Sequence, residues 1–307
     1  MTPAPKITPK SWLMIATLGF VWGGTFMVTE VALTGITPFW LAASRIAFAA
    51  GVMSVFWGWR GFALFEHRPS PTSRVTLLAI GALSGAIPFS LLAWGQQHVT
   101  SGFAGVSMAS VPLIILPLAH VFVPGETLGL RRIAGFLIGF CGVAVLIGAS
   151  AFESAGSTFE SAGRLACVSA ASCYAVSSIL MRRLPPVDPI GLATMLVIIG
   201  TGITVPLALM LEGPPPMPTT DTLIVLAFLG LVPTAAANVL RVLVVRSAGP
   251  VFMSLVNYQV PVWSVVLGAL ILAEPLPPSL LTAMALILLG VGISQLGALL
   301  RLFMRRS

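Results

Sequence analysis

Charge is what this sequence has least of: only 8% of its 307 residues are charged, against 57% hydrophobic, where a soluble domain carries about 25% charged residues. A water-facing surface cannot be built from that supply, so a soluble globular protein is excluded. Cysteine is also scarce, and Cys141, Cys167 and Cys173 all fall inside apolar runs. That pattern argues against a disulfide framework and leaves them as small packing residues. Acid is limited to 9 residues, none near the middle of an apolar run, whereas a proton-coupled carrier ordinarily holds a titratable group there. Export driven by the substrate's own gradient therefore stands beside proton antiport as an expectation. The three histidines, His67, His98 and His120, lie far apart, no acidic pair has ligand spacing, and no phosphate-cradling loop precedes a lysine. Neither an enzyme nor a metal or other cofactor is expected. A channel would show a charged ring or a repeated carbonyl filter, and there is none to read. Nor is the net charge of +7 a nucleic-acid footprint, because the basic residues sit between apolar runs rather than gathered on one face.

What the chain has in abundance is apolar length. Runs near 11–33, 38–59, 74–97, 101–123, 131–150, 163–183, 188–211, 220–245, 249–272 and 278–302 are broken by Gly, Pro and charge, and about 20 apolar residues suffice to cross a bilayer as a helix. The first run is too long for the apolar core of a signal peptide and is expected to be a membrane helix. With the N-terminus in the cytoplasm, fourteen of the 16 basic residues fall on inner segments, Arg45 and Arg164 being the exceptions. The outer segments carry Glu30, Glu153, Glu160, Glu212, Asp221 and Glu274. The positive-inside rule thus predicts ten transmembrane helices with both termini cytoplasmic, in a cell membrane, or the inner membrane of a Gram-negative source.

The chain also repeats itself. Gly125-Glu126-Thr127-Leu128 follows Pro112 as Ala273-Glu274-Pro275-Leu276 follows Pro261, and each glutamate is followed sixteen positions later by a glycine, Gly142 or Gly290. Trp22 pairs with Tyr174, Pro38 with Pro189, Pro88 with Pro233 and Pro112 with Pro261, at offsets close to ~150 residues. Five helices per half is an odd number, so the second half enters the bilayer from the opposite side. The expected fold class is an all-α membrane protein of two five-helix inverted-topology repeats. The first repeat covers 1–150, the second 163–302, and 303–307 form a basic cytoplasmic tail. Such repeats exchange shapes to open a midplane cavity alternately to each side.

These landmarks resemble those of the EamA family in the drug/metabolite transporter superfamily. The resemblance rests on Trp22-Gly23-Gly24, on Arg45 after Pro38, and on Ser101-Gly102 through Pro112 to Glu126, Gly135 and Gly142. Ala248-Gly249, Pro261, Glu274 and Gly290 repeat it in the second half, which has no counterpart of Arg45 and has Ala283 in place of Gly135. Within the family the chain is most similar to YddG-type exporters of aromatic amino acids. The resemblance implies a ten-helix exporter of small metabolites, amino acids or drugs.

Candidate substrate contacts are the polar and amphipathic groups within the runs. Trp12, Trp40, Trp57, Trp59 and Trp94 fall at run ends, as an interfacial belt requires, whereas Trp22, Trp263, Tyr174 and Tyr258 lie deeper. Helical spacing groups Ser90, Trp94 and Gln97; Thr234, Asn238 and Arg241; Ser254, Tyr258 and Pro261; and Tyr174, Ser177 and Met181. The cavity set is Trp22, Ser90, Trp94, Tyr174, Asn238, Tyr258 and Trp263, with Asn257 and Gln259 as weaker candidates; each also fits plain helix packing. Arg45, a cation inside a membrane helix, reads as a carboxylate anchor, a gate or a structural hydrogen-bonding residue. Pro112 and Pro261 read as gating bends or static kinks. Gly135, Gly139, Gly142, Gly290 and Gly297 suit close helix contact, within one chain or in a dimer seam. The expected partners are an amino-acid-like small molecule and the lipid bilayer, without nucleic acid, the chain being a monomer or weak homodimer.

Overall fold

Proline opens helix after helix in this chain. Its fixed φ suits the first turn, where a missing N–H is not needed, and Pro9, Pro38, Pro71, Pro189 and Pro278 each begin one. A capping side chain often stands just before: Ser70 accepts from Ser73 N, Thr100 from Phe103 N, Thr219 from Thr222 N, and Asp188 from Ile190 N and Gly191 N. In the computed structural model, residues 7–65, 69–122, 129–148, 159–181, 184–248, 250–253 and 255–304 are described. Among the expected landmarks, Lys6, Arg68, Gly125, Glu126, Thr127, Leu128, Glu153, Arg182, Arg183, Gly249, Ser254, Arg305 and Arg306, with His67, lie outside them.

The described residues form ten helical rods. They are α1 (Pro9–Leu33), α2 (Pro38–Trp59), α3 (Pro71–Gly95), α4 (Ser101–Phe122), α5 (Leu130–Gly148), α6 (Glu160–Met181) and α7 (Pro189–Glu212). Then come α8, in three pieces (Thr220–Leu229, Gly230–Ala236, Ala237–Ala248), α9 (Pro250–Met253 and Val256–Leu272) and α10 (Pro278–Met304). Each begins and ends within three residues of its expected run. Seven of them, α1 to α4 and α6 to α8, are long and apolar enough to cross a membrane, and Val256–Leu272 and Pro278–Ser294 are shorter apolar stretches.

Proline inside a helix is handled by local unwinding. Pro88 follows a π-turn at Ala82–Ala86, closed by Ile87 N donating to Ala82 O, and Pro233 lies within one at Gly230–Ala236, closed by Ala237 N donating to Val232 O. The wider turn relieves the clash of a proline ring with the preceding turn. α4 tightens just ahead of Pro112, where Ala109 N and Ser110 N donate to Val106 O and Ser107 O.

The helices gather into two compact units that cut across the order of the chain. One holds the start of α1 with α4, α5, α9 and α10; the other holds the end of α1 with α2, α3, α6, α7 and most of α8. In the first, α5 and α10 cross backbone to backbone: a Cβ on Gly290 would meet Gly139 N and Gly135 O. Gly105 packs on Ser264, and Gly19 and Gly23 of α1 pack on Gln259 and Trp263 of α9. The glycines expected to permit close contact thus do so within one chain.

In the second unit, α2 and α7 are clamped at both ends. Glu212, at the end of α7, accepts from Thr37 Oγ1 and from Phe39 N (3.2 Å) and Trp40 N (3.0 Å) at the start of α2. At the opposite end, Asp188 caps α7 and pairs with Arg60 at 3.1 Å. Trp40 and Trp57, expected in a lipid-facing belt, are instead buried and donate to Gly213 O (3.1 Å) and Ala63 O (2.7 Å). An indole N–H next to an uncapped chain end gains more from that carbonyl than from the interface. Trp59, at 79% exposure, does face outward.

Candidate functional site

In the unit of α2, α3, α6, α7 and α8, the strongest polar feature is Arg45. It stands on α2 with only 6% of its surface exposed. Its Nε donates to Thr234 Oγ1 of α8 at 3.0 Å, and its guanidinium lies over the Phe89 ring of α3, 4.4 Å from the centroid. Tyr174 of α6 is within its electrostatic reach. Thr234 passes the link on: its hydroxyl donates to Leu229 O at 2.9 Å. That carbonyl would have accepted from the N–H that Pro233 lacks, so proline chemistry creates the acceptor that orients the threonine, and the threonine orients the arginine.

The magnitudes show why this arrangement is tolerated. A cation near the centre of a membrane helix costs about 2.5–3.5 kcal/mol on insertion scales. A hydrogen bond from a charged donor returns about 1.5–3 kcal/mol, and a desolvated cation–π contact about 2 kcal/mol. The two contacts offset the cost without a counter-carboxylate. Phe89 was not singled out from the sequence, and Thr234 was read there only as a neighbour of Asn238 and Arg241 on one helix face, not as a partner of Arg45. The usable signal was there: each is the residue directly after one of the paired prolines, Pro88 and Pro233.

Ser90, beside Phe89, is buried and its Oγ has no partner among the described residues. Trp94 is half-buried and meets His98 edge to face at 4.8 Å. Gln97, expected on their face, is exposed, because α3 has already ended at Gly95. Tyr174 is half-buried, and its carbonyl accepts from Ser177 Oγ and Ser178 Oγ. Asn238 commits its Nδ2 to Thr234 O at 2.5 Å, one turn back on its own helix. Arg241, on the same expected stripe, is exposed.

The other unit holds Trp22, Tyr258, Trp263, Pro112 and Pro261. The Tyr258 hydroxyl is buried with no partner among the described residues. Trp263 stacks edge-on against Phe20 at 5.2 Å and lies against Gly23, so the Trp22-Gly23-Gly24 element seats α1 on α9. Gln259 is half-buried against Gly19, whereas Asn257, expected as a buried amide, is exposed. Pro112 and Pro261 are both buried, and Pro261 O accepts from Ser264 Oγ at 2.9 Å. Glu274 reaches the start of α4, accepting from Ser101 N at 2.8 Å and Gly102 N at 3.0 Å. Ala273 before it adopts a left-handed φ of 53°. Glu212 and Glu274, read from sequence only as outer charges, both serve as caps for another helix.

Ten helices with many large apolar side chains on their outer surfaces are the architecture of a multi-pass membrane protein. The chain belongs to the EamA-like transporter family, whose model matches residues 10–148 and 161–295, one match to each half. It is 30% identical over 176 residues to a chloroplastic WAT1-related protein of Arabidopsis thaliana, covering 56% of this chain and 40% of that one. It is 28% identical over 141 residues to a Streptantibioticus cattleyicolor protein described as "Probable terminal-alkyne amino-acid exporter", covering 46% of each. Over 286 residues it is 24% identical to the uncharacterized inner membrane transporter YedA of Escherichia coli, covering 91% of this chain and 89% of YedA. The chain thus spans under half the length of the relatives it matches at higher identity. A crystal structure shares its fold with a TM-score of 0.65 at 23% identity, over 94% of this chain and 98% of that one.

Proposed function

We propose that this protein exports small metabolites, foremost amino acids with aromatic or other apolar side chains, by alternating access built on its inverted repeat. The observation that carries this reading is that each unit holds, on an apolar helix, a buried hydroxyl with no partner among the described residues: Tyr258 OH on α9 in one and Ser90 Oγ on α3 in the other. A hydroxyl without a partner in an apolar medium forfeits a hydrogen bond, and a polar substrate passing through supplies one. Aromatic rings beside them, Trp94 near Ser90 and Trp263 near Tyr258 in sequence, suit an apolar side chain. The description of the Streptantibioticus relative as an amino-acid exporter points the same way. Both termini are cytoplasmic on the evidence of the charge distribution.

The test is efflux of preloaded radiolabelled phenylalanine, threonine or methionine from proteoliposomes, with and without an imposed pH gradient. Tyr258→Phe and Ser90→Ala remove one oxygen each and leave the packing nearly intact. The expected result is gradient-independent efflux, slowed severalfold in both variants. Absence of efflux for all three amino acids in the wild type would overturn the substrate assignment and favour drugs or other metabolites.

A further inference from the structure

We propose that the outer end of the Arg45 guanidinium is a subsite for the carboxylate of the transported molecule. The inference rests on the amino-acid reading above and deepens it by assigning the group that binds the acid. Arginine offers a carboxylate two forked faces, one through Nε and one Nη, the other through both Nη atoms. Thr234 occupies Nε, which closes the first face and leaves the second. Among the described residues no hydrogen bond reaches either Nη, and neither Nη is fully sealed, so the second face is left without a partner. Among the described residues, no carboxylate stands within ion-pair distance of Arg45; Asp188 is taken by Arg60, and Glu212 and Glu274 by helix N-termini.

Depth and surroundings narrow the ligand. Arg45 lies seven residues into α2, about 10 Å along the helix from its start, which is below the reach of lipid phosphates. Phe89 beneath the guanidinium holds the plane of the fork and supplies an aromatic wall. A monoanion with an apolar group attached fits one fork and one aromatic wall. A phosphate, with its higher charge, would call for further cations. The second half of the chain has no counterpart of Arg45, so the subsite breaks the symmetry of the repeat.

The protein labelled with 15N-arginine, in phosphatidylcholine nanodiscs, gives an Nε–H signal for Arg45 that is assigned by its loss in Arg45→Lys. Titration with 3-phenylpropionate should move that signal saturably, and the neutral 3-phenylpropionamide should bind about tenfold or more weakly, the loss of a charge-assisted hydrogen bond. An Arg45 signal unmoved by 3-phenylpropionate, or moved equally by the amide, overturns the subsite. Phenylalanine efflux measured in parallel separates the two claims. Efflux with an unmoved Arg45 signal refutes the subsite alone, and a carboxylate-specific shift without efflux refutes the amino-acid reading alone.

Discussion

Thr234 connects a proline, a carbonyl and a buried cation, so removing its hydroxyl without changing its shape should be unusually costly. Thr234→Val keeps the β-branched volume at a position only 2% exposed. It deletes the acceptor for Arg45 Nε (3.0 Å) and the donor to Leu229 O (2.9 Å). The first bond has a charged donor and is worth about 1.5–3 kcal/mol; neutral hydrogen bonds between membrane helices average about 0.6 kcal/mol. The sum is about 2–4 kcal/mol, or roughly 5–10 °C in the Tm of detergent-solubilised protein. Thr234→Ser retains both bonds and should stay close to wild type. A double-mutant cycle sharpens the test. Pro233→Ala restores an N–H for Leu229 O, so the cost of Thr234→Val should shrink by about 0.6 kcal/mol in that background. Equal Tm values for Thr234→Val and Thr234→Ser, or strictly additive effects with Pro233→Ala, would refute the relay.

Glu274→Ala removes a charged acceptor from Ser101 N and Gly102 N at the start of α4 and should lower stability by about 2 kcal/mol; Glu274→Gln should recover about half, as read by thermal unfolding. Gly290→Val places a branched side chain onto the backbone of Gly135 and Gly139, so it should abolish the folded, monodisperse species in size-exclusion chromatography, whereas Gly292→Ala, at an open position, should not. Arg60→Ala should cost under ~1 kcal/mol because that ion pair is 44% exposed on the arginine side. Asp188→Ala should cost about 1 kcal/mol more, measured by the same unfolding curves, because it also uncaps Ile190 N and Gly191 N.

The helices were legible because each is a long apolar run bounded by proline or a small polar residue, a one-dimensional signal. The seam of Gly135 and Gly290 was legible for a related reason: in a lipid medium, glycine at helical spacing has few uses besides close approach. What the sequence could not display were links between distant positions. Nothing in the run from Thr220 to Leu229 announces that α8 widens into a π-turn, since Pro233 predicts a bend but not how its orphaned carbonyl is served. Arg45 stood out as a buried charge, yet its partners come from α3 and α8, and only the equivalence of Phe89 and Thr234 after paired prolines hinted at them. Trp40 and Trp57 were misplaced because position at a helix end is shared by lipid-facing belts and by indoles that cap a neighbouring loop. The bond of Asn238 Nδ2 to Thr234 O on its own helix was not legible either, because in sequence an amide's partner one turn back is indistinguishable from one on a ligand.

The most direct test of alternating access is counterflow. Proteoliposomes loaded with millimolar unlabelled phenylalanine and diluted into trace labelled phenylalanine should accumulate the label transiently above equilibrium, because the loaded carrier reorients in exchange for internal substrate. Label that only rises to its equilibrium level, with no overshoot and no dependence on the internal amino acid, would contradict the account.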